Sequence, residues 1–122
     1  MDIRIKVTAF EMNAETRKYL DERIASFEKL LSHESDTARC EVEVGRDAGG
    51  QRHGNNMWFA EVGIIVPGRE RIYARNNAES VNTAIDDVKR EIERQLRKQK
   101  GSYLHRIRKS GARLKEWMRG SE

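Results

Sequence analysis

At 122 residues the chain has room for one domain of ordinary size, and its single proline, nine glycines and 37% apolar content exclude a collagen-like or proline-rich disordered chain. No apolar run approaches the ~18 residues that span a bilayer, and the one cysteine, Cys40, excludes an internal disulfide or a cysteine-cluster zinc site. The net charge of +4 is unevenly held: residues 1–88 carry 12 basic and 16 acidic side chains, a balance of −4, whereas residues 89–122 carry 12 and 4, a balance of +8.

In chain order, Ile3, Ile5 and Val7 alternate with Arg4, Lys6 and Thr8, the period of a half-buried strand. This charged, alternating start has no apolar core of a secretory signal, so a reducing cytoplasm is the expected compartment. Asn13 is a candidate N-cap, and Leu20, Ile24, Phe27 and Leu31 then form one stripe, predicting an amphipathic helix over about 14–31. Cys40, Val42 and Val44 alternate with Arg39, Glu41 and Glu43 in a second strand. The glycine-rich stretch 45–56 reads as a long hairpin loop. Trp58, Ala60, Val62, Ile64 and Val66 mark a third strand, Pro67-Gly68 a turn, and Ile72 and Ala74 a fourth strand. After Asn77 or Ser80 as cap, Val81, Ala84, Ile85, Val88, Ile92, Leu96 and Gln99 form the inner stripe of a helix expected to end near Lys100, where Gly101-Ser102 punctuates it.

The order β-α-β-β-β-α predicts an α+β fold of two layers. A four-stranded mixed sheet carries both helices on one face; the first two strands are parallel through a right-handed crossover, and the rest are antiparallel hairpins. A domain over residues 1–100 and a basic, flexible tail over 101–122 are expected. The opposite sheet face then presents Arg4, Lys6, Arg39, Glu41, Glu43, Glu61, Arg71, Tyr73 and Arg75 to solvent.

On the last helix Arg90, Arg94 and Arg97 fall roughly opposite the apolar stripe, with Lys98 on one edge and Lys89 and Lys100 on the other. An acidic start and a basic end suit the helix macrodipole whatever the function, and Glu93 with Arg97 makes an i, i+4 pair. Arginines at one-turn spacing also match successive phosphates, because the planar guanidinium engages phosphate oxygens bidentately and stays charged. The tail adds Arg106, Arg108, Lys109, Arg113, Lys115 and Arg119, with Leu104, Ile107, Leu114, Trp117 and Met118 at near-helical spacing. It reads as an RNA-binding arm, a membrane-surface helix or a packed terminal helix.

Catalytic patterns are missing. His33, His53 and His105 have no metal-ligand spacing, the glycine-rich loop lacks the Gly-Lys-Ser/Thr ending of a phosphate loop, and Cys40 sits on an inward strand face as a small core residue. Neither a metal, a cofactor nor a small-molecule substrate is expected.

Residues 84–100, AIDDVKREIERQLRKQK, resemble the last helix of the ribosome hibernation promoting factors, also called ribosome-associated inhibitors or ribosomal subunit interface proteins. Ala84, Ile85, Asp86, Glu93, Arg94, Gln95, Leu96 and Lys98 match that helix, with Ile92 in place of leucine. The start, IRIKVTAFEMNAETRKYLDERIASFEKL, also resembles the family, through Glu28-Lys29. Asn82 stands where many members have an aromatic residue, and Glu91 where many have lysine. The likeness covers residues 1 to about 100 and agrees with a two-layer fold like that of double-stranded RNA-binding domains.

The resemblance implies a non-enzymatic, cytoplasmic stress protein, monomeric off the ribosome, that occupies the tRNA and mRNA channel of the small ribosomal subunit in starved cells. It is similar to the short members, which lack a second, dimerising domain. Its ribosomal RNA contacts would come from Arg94 and Lys98 by motif, joined by Arg90 and Arg97 from the helix stripe. Arg23 and Lys29 occupy basic positions of the first helix, and Lys6, Arg71 and Arg75 lie on the open sheet face. Two other readings are a general double-stranded RNA binder and a protein-interaction regulatory module that modulates a sigma factor.

Overall fold

The structure, a computed structural model, describes residues 1–47 and 55–120, with side chains described as far as Lys100. Its elements are β1 (Asp2–Thr8), α1 (Ala14–Leu31), a 3₁₀ turn (Ser32–Asp36), β2 (Arg39–Arg46), β3 (Trp58–Ile65), β4 (Ile72–Ala78) and α2 (Val81–Gly120). The sheet order is β1-β2-β3-β4. β1 runs parallel to β2, and the two following pairs are antiparallel. This is the predicted α+β arrangement, both helices sharing one buried core with the inner sheet face.

Local chemistry accounts for the boundaries. Asn13 Oδ1 accepts the Thr16 N–H at 2.8 Å, and Ser80 Oγ accepts the Thr83 N–H at 3.1 Å, so each helix start has a side-chain cap. Asn77, the other candidate cap, donates instead to Asp47 Oδ2 at 2.5 Å. At the β3–β4 connection the Arg69 N–H reaches the Val66 carbonyl at 3.1 Å, and Gly68 takes φ +82°. Pro67 and Gly68 thus supply the two central positions of a type II turn. At Gly45 a Cβ would lie 2.4 Å from the Thr8 carbonyl oxygen, so the close approach of β1 and β2 there requires glycine.

The core is formed by Leu20, Ile24, Phe27 and Leu31 of α1, by Cys40, Val42, Val44, Ala60, Val62, Ile64, Ile72 and Ala74 of the sheet, and by Ala84, Ile85, Val88, Ile92 and Leu96 of α2. These are the stripes that periodicity marks in the sequence. Cys40 is fully buried, and burial pushes its thiol up to about 12, which leaves it inert as a nucleophile.

Two expectations need correction. Ile3 and Val7 lie on the helix-side face beside Cys40 and Val44, yet each is 38% exposed. The reason is position: β1 is an edge strand, and the helices cover the sheet from β2 to β4 more fully than β1. Second, α2 does not end near Lys100 but runs as one 40-residue helix to Gly120, about 60 Å long. A single glycine costs a helix only about 1 kcal/mol, and Gly101 and Gly111 are each embedded among strong helix formers. The side-chain expectations for the tail lie outside the described residues, as does the middle of the glycine-rich loop, 48–54.

Replacing Phe27, buried between the helices and the sheet, with alanine is expected to cost about 3–5 kcal/mol in urea unfolding. Ile3→Ala, at the uncovered edge, is expected to cost about 1 kcal/mol or less. Equal costs would contradict this placement of the core.

Candidate nucleic-acid interface

The rotation of α2 about its axis follows from burial of Ala84, Ile85, Val88, Ile92 and Leu96. With those residues against the sheet, Arg90, Arg94 and Arg97 must project outward, and their side chains are 74%, 62% and 62% exposed. Arg90 and Arg94 stand one turn apart, about 6 Å along the axis. Lys98 and Lys100 are exposed on the same stretch and make no ion pair among the described residues.

Each arginine of the row meets a carboxylate of its own helix. Arg90 pairs with Asp87. Arg94 makes a two-pronged contact with Glu91, Nε to Oε2 at 3.0 Å and Nη2 to Oε1 at 2.7 Å, and Arg97 Nη2 reaches Glu93 Oε2 at 3.0 Å. The last pair is the i, i+4 contact that the sequence predicts, and the other two have i, i+3 spacing. The Arg94–Glu91 pair is exposed on both sides, so water or phosphate can replace it at little cost, whereas Asp87 and Glu93 are more shielded. Glu91 shows the local field most clearly. Hydrogen bonds from Arg94 and Gln95 hold its carboxyl at about 2.

Between the helices the charges are used internally. The Tyr19 hydroxyl donates to Asp86 Oδ2 at 2.6 Å, and Arg23 Nε donates to Asp86 Oδ1 at 3.3 Å while its guanidinium lies 3.4 Å from the Tyr19 ring centre. The bond to Asp86, then burial, raise the Tyr19 pKa. Next along the interface, Ser26 Oγ donates to the Arg23 carbonyl at 2.7 Å and lies 3.4 Å from Glu93 Oε1; Glu93 also pairs with Lys89 at 2.8 Å and with Arg97. Burial opposes ionisation of Glu93, but Lys89 and Arg97 outweigh it and hold the carboxyl below its ordinary value. Arg23 is therefore a clamp between α1 and α2, a role that sequence pattern alone did not indicate. These contacts also show the helices running in the same direction. Lys29, exposed in the last turn of α1, consequently stands level with the Arg97 turn of α2.

The remaining expected residues lie on the other side of the molecule. Lys6 faces Glu43 across β1 and β2 at 3.9 Å. Arg75 pairs with Glu61 at 3.1 Å and Asp47 at 3.0 Å, and lies over the Phe59 ring. Arg71 lies over the bare backbone of Gly63, where a Cβ would sit 2.8 Å from Nη2, and beside Tyr73. Lys6 and Arg71 border a shallow depression of about 300 Å³ that mixes them and Arg4 and Arg39 with Glu41, Glu43 and Glu61. The nine expected residues thus form no single patch. Arg90, Arg94, Arg97 and Lys98 cluster on α2 with Lys29 nearby, Arg23 is committed to packing, and Lys6, Arg71 and Arg75 occupy the opposite layer among carboxylates.

Among the described residues no group of His, Cys, Asp or Glu side chains is placed to hold a metal ion, and no helix is long and apolar enough to cross a membrane.

Comparison with known proteins agrees with this architecture. The family model described as sigma 54 modulation protein / S30EA ribosomal protein matches residues 3–103. The Thermus thermophilus Protein Y N-terminal domain superposes with a TM-score of 0.62 at 17% identity, covering 80% of this chain and 98% of that one. A ribosomal subunit interface protein from Coxiella burnetii gives 0.62 at 14% identity, covering 83% and 99%. No curated protein matches the chain.

The Glu91–Arg94 contact gives a pH prediction. Because the folded-state value lies below the ordinary 4.5, the pair's stabilisation is complete above about 4.5 and is lost as pH falls through about 2. NMR titration of the Glu91 side chain should show a midpoint near 2, and Arg94→Gln should move it back toward 4.5. A midpoint unmoved in the variant would remove Arg94 as the cause.

Proposed function

We propose that this chain, which belongs to the sigma 54 modulation protein / S30EA ribosomal protein family of ribosome-associated factors, silences translation by binding the small ribosomal subunit. It acts in the cytoplasm, as a monomer off the ribosome and without catalysis, and it occupies the tRNA and mRNA channel under stress or in stationary phase. The observation that carries the reading is the outward row Arg90, Arg94 and Arg97 with Lys98, held on a helix whose rotation is fixed by the core.

A rigid helix presents its guanidiniums in a defined row, so little backbone order is lost on docking. Each guanidinium has five donors and uses at most two on its own helix, which leaves donors for phosphate oxygens. Ribosomal RNA offers a dense phosphate lattice, and release of its counterions supplies the driving force. Lys29 extends the row from α1. Arg23 supports the surface by holding the two helices together, and Lys6, Arg71 and Arg75 form a secondary surface on the open sheet face.

Replacing Arg90, Arg94 and Arg97 together with glutamate is expected to abolish co-sedimentation with small subunits while circular dichroism stays unchanged. With the three changed to glutamine, the slope of log K against log salt should fall in magnitude by roughly two to three. A folded triple variant that still co-sediments would remove the assignment. Glu91→Gln provides the opposite test: freeing Arg94 from its carboxylate should tighten binding by at least about twofold, the equivalent of one exposed helix pair. Weaker binding would mean that Glu91 positions Arg94 for RNA instead of competing with it.

A further inference from the structure

The two edges of the sheet are finished differently. On β4 the outward backbone groups of Tyr73 are both taken by α2: the N–H donates to Gln95 Oε1 at 3.2 Å, and Gln95 Nε2 donates to the carbonyl at 2.9 Å. Gln99 Nε2 donates to the Glu70 carbonyl at 3.0 Å, just before the strand. These amides stand where a fifth strand would pair, so the beginning of that edge is closed. At the other edge β1 pairs with β2 alone, and no described side chain bonds its outer backbone.

The side chains of β1 are equally open. Ile3 and Val7 are exposed on either side of half-buried Ile5. On the other face Arg4 and Lys6 are 63% and 75% exposed; Arg4 is tied only to neighbouring Asp2 at 3.5 Å, and Lys6 to Glu43 at 3.9 Å. A free edge with an apolar row on one face and cations on the other suits an added extended strand, in which main-chain bonds give affinity and alternate side chains give specificity.

A second copy of this chain does not suit it. In antiparallel self-pairing, only the register with Ile5 opposite Ile5 pairs all of Ile3, Ile5 and Val7, and it sets Arg4 against Lys6 twice; the registers that bring Asp2 opposite Lys6 or Arg4 leave Val7 without an apolar partner in the strand. Like charges directly opposite each other destabilise a strand pair. The cations that keep the edge from closing on itself therefore favour carboxylates. We propose that the outer edge of β1 is a strand-acceptor site for an extended protein segment in which apolar residues alternate with aspartate or glutamate. This site is separate from the α2 row and does not rest on ribosome binding.

The test uses the intact protein and three capped heptapeptides in which valine alternates with glutamate, lysine or serine, followed by amide NMR. The valine–glutamate peptide should shift Asp2–Thr8 amides, protect them from exchange, and bind at least tenfold tighter than the valine–lysine peptide. The double substitution Arg4→Glu, Lys6→Glu should reverse that preference. Ile3→Thr with Val7→Thr should weaken binding at least threefold and leave the charge preference intact. The site is overturned if the glutamate peptide causes no shifts, if its shifts fall only on α2 or the open sheet face, if the three peptides bind alike, or if the folded charge-swapped protein keeps the original preference.

Discussion

Burial of one stripe of α2 is the constraint on which the rest of the structure depends. Val88 and Ile92 are sealed against the sheet, with Ala84, Ile85 and Leu96 extending the contact over more than three turns. Apolar burial has no direction of its own, yet on a helix it fixes rotation, because a side chain's azimuth follows from its place in the 3.6-residue period. Any rotation that brought Arg94 inward would desolvate a guanidinium and expose Ile92, and both changes are unfavourable. The outward row of cations is thus a consequence of core packing. It needs no special contact to hold it in place.

Charge is used in two ways, and burial separates them. Between the helices, Asp86 receives Tyr19 and Arg23 and joins two elements distant in sequence, while the shielded Glu93 gathers Lys89 and Arg97 of its own helix beside Ser26 of α1. On the outer face, Glu91 meets Arg94 within one turn and in solvent, and Asp87 meets Arg90 while also accepting from Asn76 Nδ2 at 2.7 Å. The first set contributes to packing. The second is screened and exchangeable, so it tempers the positive field of α2 without removing it. Position 91 matters in this respect, since a lysine there would enlarge the basic surface and glutamate instead partners Arg94.

The same helix also shapes the sheet. Gln95 and Gln99 flank the apolar stripe of α2 and reach the backbone of Tyr73 and Glu70, so one element covers the inner face and caps the beginning of one edge. α1 makes no comparable contact with β1. The molecule is consequently asymmetric: one side is finished by α2, and the other carries exposed apolar side chains beside unpaired backbone.

Sequence by itself determined the order of elements, the strand directions, the start of α1 and nearly all of the core, and left the start of α2 between Asn77 and Ser80. Each of these follows from local periodicity and capping chemistry: Leu20, Ile24, Phe27 and Leu31 repeat at helical spacing, Cys40, Val42 and Val44 alternate, and Asn13 and Ser80 cap as their side chains dictate. It also located the outward arginine row, because the azimuth of one helix is a local property. Tertiary structure decided what periodicity cannot encode. Ile3 and Val7 alternate like any inward residues, and only their place at an edge leaves them exposed. Arg23 and Arg97 are both basic helix residues, and only the neighbouring helix makes the first a clamp. Whether Arg71 and Arg94 share a surface depends on which layer each occupies; they lie on opposite sides, because a two-layer fold sends the free face of its helix and the free face of its sheet in opposite directions.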